Sequence, residues 1–169
     1  LNLSDTILTG KILLNLDTEE DDEICVGCAG GIDITLSKNY PLQELKEDEI
    51  NVKILLNGLT GGHSGAEIHK GLGNSNKILF ELIQKLNSDF DVKICSIDGG
   101  GLRNAIPRES STIISFDEDN LNSFKKIMKN TSQTLVAEFK ETDDNINLEF
   151  ELLENRFQTI GAIESVSYT

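Results

Sequence analysis

Six segments after residue 48 carry the periodicity of regular secondary structure. In four of them apolar residues alternate with polar ones or run almost without interruption, which is typical of β-strands. The other two carry apolar residues at spacings of one, three and four, which is typical of amphipathic helices packed on a core. The predicted strands cover 50–59, 91–97, 111–116 and 146–153, and the predicted helices cover 74–86 and 117–140.

The order of these segments is β-α-β-β-α-β, the order of the split βαβ or ferredoxin-like arrangement. We therefore predict an α/β (α+β) fold in which an antiparallel sheet carries both helices on one face. An edge strand of such a sheet is a natural place for another chain to pair. Asn74 or Ser75 is expected to cap the first helix. Ser115 and Glu118 have the spacing of a capping box for the second.

An earlier apolar run, residues 12–16, ends at Asp17. A nearly continuous run of this kind suits a strand buried on both faces of a parallel α/β sheet, where functional groups stand at the carboxyl ends of the strands. Asp17, with Glu19 and Glu20, offers oxygen ligands that suit Mg or Mn and are acceptable to Zn. A solvated acidic turn is the alternative interpretation.

The most distinctive stretch is Gly61-Gly62-His63-Ser64-Gly65, between the strand 50–59 and the helix 74–86. Glycine is favoured where the backbone needs positive φ or must approach another group closely. Glycines on both sides of an imidazole suggest a loop built to aim His63, although an exposed turn is the simpler alternative. Glu67 with His69 adds a second pair of candidate metal ligands, but the H-E-x-x-H motif of metalloproteases is absent from the sequence.

A second glycine-rich loop, 99–108, follows the predicted strand 91–97. Asn104 in this loop could donate hydrogen bonds to a carboxylate or a carbonyl group. Arg103 and Arg108 are more simply explained as surface charges, with a substrate role as the alternative.

The chain has 169 residues, with 15 Lys and Arg against 29 Asp and Glu, so its formal net charge is −14. This charge argues against nucleic acid or an anionic membrane as a partner, because both need clustered positive charge. No apolar run reaches the roughly 20 residues that span a bilayer. The three cysteines are an odd number and predict buried free thiols instead of a disulfide framework. A solvated acidic face is expected from Asp143, Asp144, Glu149 and Glu151.

Four separate blocks of the chain resemble, in the same order, the cytosolic aminoacyl-histidine dipeptidases. These enzymes are the peptidase D group of the M20 clan of di-zinc peptidases. The resemblance covers nearly the whole chain and weakens after Glu154. The four blocks are Asn15-Leu16-Asp17-Thr18-Glu19-Glu20, Gly27-Cys28-Ala29-Gly30-Gly31, the eleven-residue block from Leu59 to His69, and Leu102-Arg103-Asn104-Ala105-Ile106-Pro107-Arg108.

In that family a catalytic domain holds two metal ions, and a smaller inserted lid domain closes over the substrate and often forms a dimer. The resemblance implies that residues 1–22 end a catalytic-domain segment, a strand with its acidic turn. Residues 23–169 would be the lid or dimerisation domain, incomplete at its carboxyl end. The implied parent is a cytoplasmic metallodipeptidase for Xaa-His dipeptides, with two divalent metals (Zn, or Mn or Co) and a homodimer formed through the lid. The chain begins with Leu1 instead of methionine, which fits an excised piece of that parent.

The resemblance also assigns roles to three residues. Asp17 would bind one of the two metals, His63 would stabilise the oxyanion of the tetrahedral intermediate, and Asn104 would bind substrate. Four other family elements have no counterpart here: the His-x-Asp block, the bridging aspartate, the Glu-Glu pair with the general base, and the last metal histidine. Glu19-Glu20 is not that pair, because the family's pair lies well upstream of the aspartate that Asp17 matches.

One aspartate cannot assemble a two-metal site, so the chain alone is expected to be inactive. Two alternatives stay open at this point. The chain could be a dimerisation or interaction module without catalytic residues, or the lid of another M20 peptidase or deacylase.

Overall fold

The computed structural model describes residues 9–12, 32, 34–37 and 39–160. The chain divides into two compact units, residues 1–38 and residues 39–169. All helices and strands among the described residues belong to the second unit. Asp17 and the strand predicted to precede it lie outside the described residues, apart from Ile12.

Four strands of the second unit, β1 (Glu49–Asn57), β3 (Lys93–Gly99), β5 (Ser110–Asp117) and β6 (Asn147–Leu153), form one antiparallel sheet. Their spatial order is β3-β5-β1-β6. The predicted antiparallel sheet with two helices is therefore confirmed, and each of its strands lies within a few residues of its predicted position. The elements in chain order are β1 (Glu49–Asn57), β2 (Gly62–His63), α1 (Ser75–Asp89), β3 (Lys93–Gly99), β4 (Ala105–Ile106), β5 (Ser110–Asp117), α2 (Leu121–Glu138) and β6 (Asn147–Leu153).

Both helices pack on the same face of this sheet. The β1–β5 register sets Val52 opposite Ile114, and both side chains are fully buried. These two residues share one hydrophobic cluster with Leu82 from α1 and Phe124 from α2. Because alternate residues of a strand point to opposite faces, the polar Lys53 of β1 faces the other side of the sheet and is exposed.

Aromatic side chains link the helices to the sheet. The ring centroids of Phe90 and Phe116 are 5.2 Å apart, and those of Phe116 and Phe124 are 5.0 Å apart. Phe150 of β6 meets Phe124 edge-on, again at 5.0 Å. These separations lie in the range where aromatic pairs attract each other beyond their buried area.

The helix starts were only partly predicted. Asn74 caps α1, since its side chain accepts a hydrogen bond from the Lys77 backbone N–H at 3.2 Å. The capping box predicted from Ser115 is wrong, because Ser115 lies inside β5 and is buried. Asp117 takes the capping role instead, accepting from the Asp119 N–H at 2.9 Å at the start of a short 3₁₀ turn.

The four acidic residues after α2 that were predicted to form a solvated face are not all exposed. Asp144, Glu149 and Glu151 are exposed, as expected of a solvated face, but Asp143 is completely buried. The interpretation of Asp143 as a solvated residue is therefore wrong. The cost of burying its carboxylate is offset by the hydrogen bonds that it accepts from distant backbone groups.

The segment before β1 pairs with the segment after β6. Gln43 and Thr159 exchange two backbone hydrogen bonds, of 2.8 and 2.9 Å. The buried Asn51 of β1 accepts from the Phe157 N–H at 3.1 Å, which fixes the same departing segment against the sheet. In the described part of the chain, no helix combines the length and the apolar character needed to span a membrane.

Candidate functional site

The candidate site is built on the loop from Thr60 to Gly73, called the histidine loop below, which connects β1 to α1. Gly61 is buried and has a φ of +67°, a conformation that L side chains rarely adopt. A Cβ on Gly62 would lie 2.7 Å from Glu67 Oε2, closer than real side chains approach. The sequence prediction that these glycines serve backbone conformation and close approach agrees with this geometry.

The histidine loop fixes the imidazole of His63. Its Nδ1 accepts hydrogen bonds from the Gly65 N–H at 3.1 Å and from the Ala66 N–H at 3.0 Å. A ring nitrogen that accepts from two N–H groups carries no proton of its own, so the neutral ring carries its proton at Nε2. The His63 side chain is exposed, so its oriented Nε2–H donor is accessible to a ligand.

Glu67 holds the backbone of the same loop. One carboxylate oxygen accepts from the His63 N–H at 2.7 Å, and the other pairs with Lys70 Nζ at 2.6 Å. The Lys70 hydrogen bond, and then that of the His63 N–H, lower the pKa of Glu67 below its usual value. Both oxygens of Glu67 therefore bind partners within the loop, which argues against the alternative of a Glu67–His69 metal pair.

Asn104 lies next to His63 across a small two-stranded ribbon. Strands β2 and β4 pair so that His63 stands opposite Ala105, and the Ser64 N–H donates to the Asn104 carbonyl at 2.9 Å. The side chains of Asn104 and His63 are both exposed. The structure thus brings together two of the three residues singled out from the sequence, whereas the third, Asp17, lies outside the described residues.

A groove of about 740 Å³ adjoins this ribbon. It is lined by ribbon residues, including Gly62 and Ala105, and by Gly99–Gly101 at the end of β3. Arg108 also lines it; this side chain and that of Arg103 are exposed, as their interpretation as surface charges predicts. The volume lies within the range of small-molecule sites, and the lining includes Gly62 and Ala105, the chain neighbours of His63 and Asn104, but not His63 and Asn104 themselves.

The described residues offer no ready metal centre. Within 9–12, 32, 34–37 and 39–160, no group of three or more His, Cys, Asp and Glu side chains is placed to hold a metal ion.

Sequence reasoning missed the residue that fixes both ends of the histidine loop. Asp143 Oδ1 accepts from the Thr60 N–H and Oδ2 accepts from the Gly73 N–H, each at 2.8 Å. Burial alone would raise the pKa of Asp143, but the hydrogen bonds, chiefly those from Thr60 and Gly73, outweigh it and lower the pKa below its usual value. No local pattern signals this contact, because the donors precede Asp143 by 83 and 70 residues.

Residues 54–143 match the model of the M20 peptidase dimerisation domain, and they make up more than half of the chain. The chain belongs to the M20 peptidase dimerisation domain family. The chain is 39% identical over 141 residues to the cytosol non-specific dipeptidase of Escherichia coli K12. The alignment covers 83% of this chain and 29% of that protein.

The fold of the M20 domain also matches solved structures. The aminoacylhistidine dipeptidase from Vibrio alginolyticus superimposes with a TM-score of 0.68 at 27% identity, covering 72% of this chain and 25% of that chain. An amidase of the hydantoinase/carbamoylase family from Burkholderia multivorans gives a TM-score of 0.50 at 12% identity, over 66% of this chain and 28% of that chain. This second likeness shows a shared fold alone.

The predicted kinship with aminoacyl-histidine dipeptidases is confirmed by these comparisons. The chain spans less than a third of the length of each of these relatives.

Proposed function

We propose that this M20 domain is the lid of a dipeptidase that hydrolyses Xaa-His dipeptides. Two relatives support the reaction class, since the Escherichia coli protein is named a dipeptidase and the Vibrio alginolyticus protein an aminoacylhistidine dipeptidase. In this proposal residues 1–22 end the catalytic-domain segment and residues 23–169 belong to the lid.

The observation that carries the proposal is the pair of backbone N–H groups, of Gly65 and Ala66, that donate to His63 Nδ1. Hydrolysis of an amide passes through a tetrahedral intermediate, and an oriented hydrogen-bond donor stabilises its oxyanion. The two backbone N–H groups on Nδ1 leave the proton of a neutral His63 at Nε2, where it can be donated to that oxyanion. A donor held in place before the reaction needs no reorganisation during it, which explains why the loop fixes the ring so firmly.

Asn104 is proposed to bind substrate from the same ribbon. Its exposed side-chain amide can donate to a carboxylate or a carbonyl of the dipeptide. His63 stands opposite Ala105, the residue that follows Asn104, so the backbone segments that carry the two donors are adjacent in the ribbon.

The chemistry of the parent requires a metal centre that the described residues do not provide. Two divalent ions, Zn or else Mn or Co, would supply the activated water in enzymes of this kind. We assign one ligand to Asp17 and the remaining ligands to the part of the parent that this chain lacks. The chain alone is then expected to be inactive.

Substrate range and assembly are part of the proposal. The name of the Escherichia coli relative indicates a broad dipeptide preference, so Xaa-His peptides are tested beside other dipeptides. The same name favours a cytoplasmic location. The family's description as a dimerisation domain supports a homodimer formed through the lid. A lid of another M20 peptidase or deacylase is the alternative if no dipeptide is cleaved.

The test compares wild-type full-length parent with His63→Ala and His69→Ala, using an Xaa-His dipeptide and added Zn²⁺ or Mn²⁺. We expect His63→Ala to lower kcat on the order of a hundredfold with little change in KM, as loss of an oxyanion donor does. His69→Ala is the matched control, because His69 is the other histidine of the chain and is also exposed.

Each outcome of this test has a definite meaning. A raised KM with unchanged kcat in His63→Ala would assign His63 to substrate binding. Full activity in His63→Ala would leave the domain as an interaction module without catalytic residues. No cleavage of any dipeptide by the wild type would contradict the dipeptidase proposal itself.

A further inference from the structure

Asp143 lies at the other end of the domain's sequence from the histidine loop, yet it closes that loop. It follows α2 by a few residues and is completely buried. Its two oxygens accept hydrogen bonds from the backbone N–H groups of Thr60 and Gly73, the first and last residues of the loop. A third bond reinforces the closure, since Thr60 Oγ1 donates to the Thr142 carbonyl at 2.7 Å.

The geometry requires a carboxylate at this position. Each oxygen faces a backbone N–H, so both must accept, and only an ionised carboxylate presents two acceptors in this arrangement. In an asparagine one of the two groups would be an amide N–H₂ facing another N–H. An N–H group left without an acceptor at either end would weaken the attachment of that end of the loop to residue 143, most of all at the buried Gly73.

Closure of the loop is coupled to the position of His63. Thr60 is followed directly by Gly61, whose φ of +67° turns the chain into the β2–β4 ribbon that carries His63. At the other end, Gly73 is buried, and a Cβ there would lie 2.4 Å from Leu59 Cδ2. Because the Asp143 side chain binds both ends of the histidine loop, it fixes the position of the β2–β4 ribbon relative to the core.

We infer that Asp143 is a positioning residue for His63: it fixes both ends of the histidine loop and thereby sets where the His63 donor meets the substrate. The inference rests on the proposed role of His63 in oxyanion stabilisation. Asp143 itself is buried and acts only through the loop. Since a misplacement of about 1 Å can cost on the order of a hundredfold in rate, Asp143→Asn should lower kcat by tenfold to a hundredfold and leave KM nearly unchanged.

The test is a double-mutant cycle in the full-length parent, with Asp143→Asn, His63→Ala and the double variant assayed on the same dipeptide. Asp144→Asn is the matched control, because Asp144 is the adjacent aspartate, is exposed and accepts only a local bond from the Asn145 side chain. We expect Asp144→Asn to match wild type. If Asp143 acts through His63, the double variant should be no slower than His63→Ala alone.

Deuterium uptake gives a second readout that does not depend on activity. Mass-spectrometric hydrogen exchange of the parent should show faster uptake in peptides covering residues 59–73 in Asp143→Asn, with uptake in β5 and α1 unchanged. General faster uptake would indicate loss of the fold. In that case Thr60→Val repeats the cycle with a milder change, because it removes the hydroxyl bonds of Thr60 to the Thr142 carbonyl and to Asp143 but keeps the backbone bonds of the loop.

Four results would overturn the inference. If His63→Ala loses activity but Asp143→Asn keeps wild-type kcat, or if the two losses multiply in the double variant, Asp143 does not act through His63 and only this inference fails. If His63→Ala itself keeps full activity, the proposed function fails, and the positioning role fails with it. A raised KM with unchanged kcat in Asp143→Asn would show that the loop serves binding and not the chemical step.

Discussion

At the scale of single residues, Asn51 shows how one buried amide connects three segments of the chain. It lies on the face of β1 that does not contact the helices, and both ends of its side chain have partners. Its Oδ1 accepts from the Phe157 N–H, and its Nδ2 donates to Cys95 Sγ at 3.3 Å. Asn51 therefore links the segment after β6 to the Cys95 side chain of β3.

The thiol at this junction should be chemically inert. Burial raises the pKa of Cys95 to about 11, even though the Asn51 hydrogen bond acts in the opposite direction. Because the thiolate is the reactive form, Cys95 in the folded protein should react with iodoacetamide far more slowly at pH 8 than an ordinary thiol of pKa near 8.5. The rate should rise with pH until the pH passes about 11. Peptide mass spectrometry measures the extent of labelling.

The reference for this experiment is the same protein in urea, where Cys95 should react at the rate of a free thiol. Equal labelling rates with and without urea at pH 8 would contradict the prediction, since they would mean that the folded environment does not protect the thiol.

At the scale of elements, the sequence predicts those helices and strands that bury one face, because burial of one face gives a periodic pattern of apolar residues. The apolar stripe of α1 is buried along its whole length, from Ile78 to Leu86, and its period is visible in the sequence. The β2–β4 ribbon could not be predicted, because strands of two residues show no period. Ser115 has capping-box spacing, yet spacing alone cannot tell that the residue is inside β5.

The candidate site divides in the same way. The glycine setting of His63 is local and could be recognised, and Asn104 was recognised through the resemblance of its block to a known family. The pairing of the two segments that carry them is set by the fold, as are the hydrogen bonds that Asp143 accepts from donors 83 and 70 residues away. Hydrogen bonds between distant segments leave no periodic trace in a sequence, which is why Asp143 was mistaken for a surface residue.

The packing of α2 on the sheet can be tested at one side chain. Phe124 is fully buried and contacts the rings of both Phe116 and Phe150, so Phe124→Ala should lower the free energy of unfolding by about 3–5 kcal/mol. Phe80→Ala is the control, because Phe80 on α1 is 49% exposed and its truncation should cost far less. Urea denaturation of the parent measures both; equal shifts would contradict the assigned core.

At the scale of the whole molecule, the sheet has two edges at which a second copy could pair. Along β3, the Ile160 N–H donates to the Ile94 carbonyl, so part of that edge is already occupied. Strand β6 pairs with β1 on one side, and no strand among the described residues pairs with its other side. Leu152 on β6 is 47% exposed, which adds apolar surface to an open backbone edge.

We therefore expect the parent to be a homodimer that pairs through β6. Leu152→Lys places a charge at that edge and should shift the protein toward monomer in sedimentation velocity at micromolar concentration, because a buried unpaired charge opposes association. Ile97→Lys is the matched control, since Ile97 lies on the other edge strand and is 56% exposed. Dissociation by Ile97→Lys but not by Leu152→Lys would move the interface to β3. A wild-type parent that sediments as a monomer would contradict the homodimer.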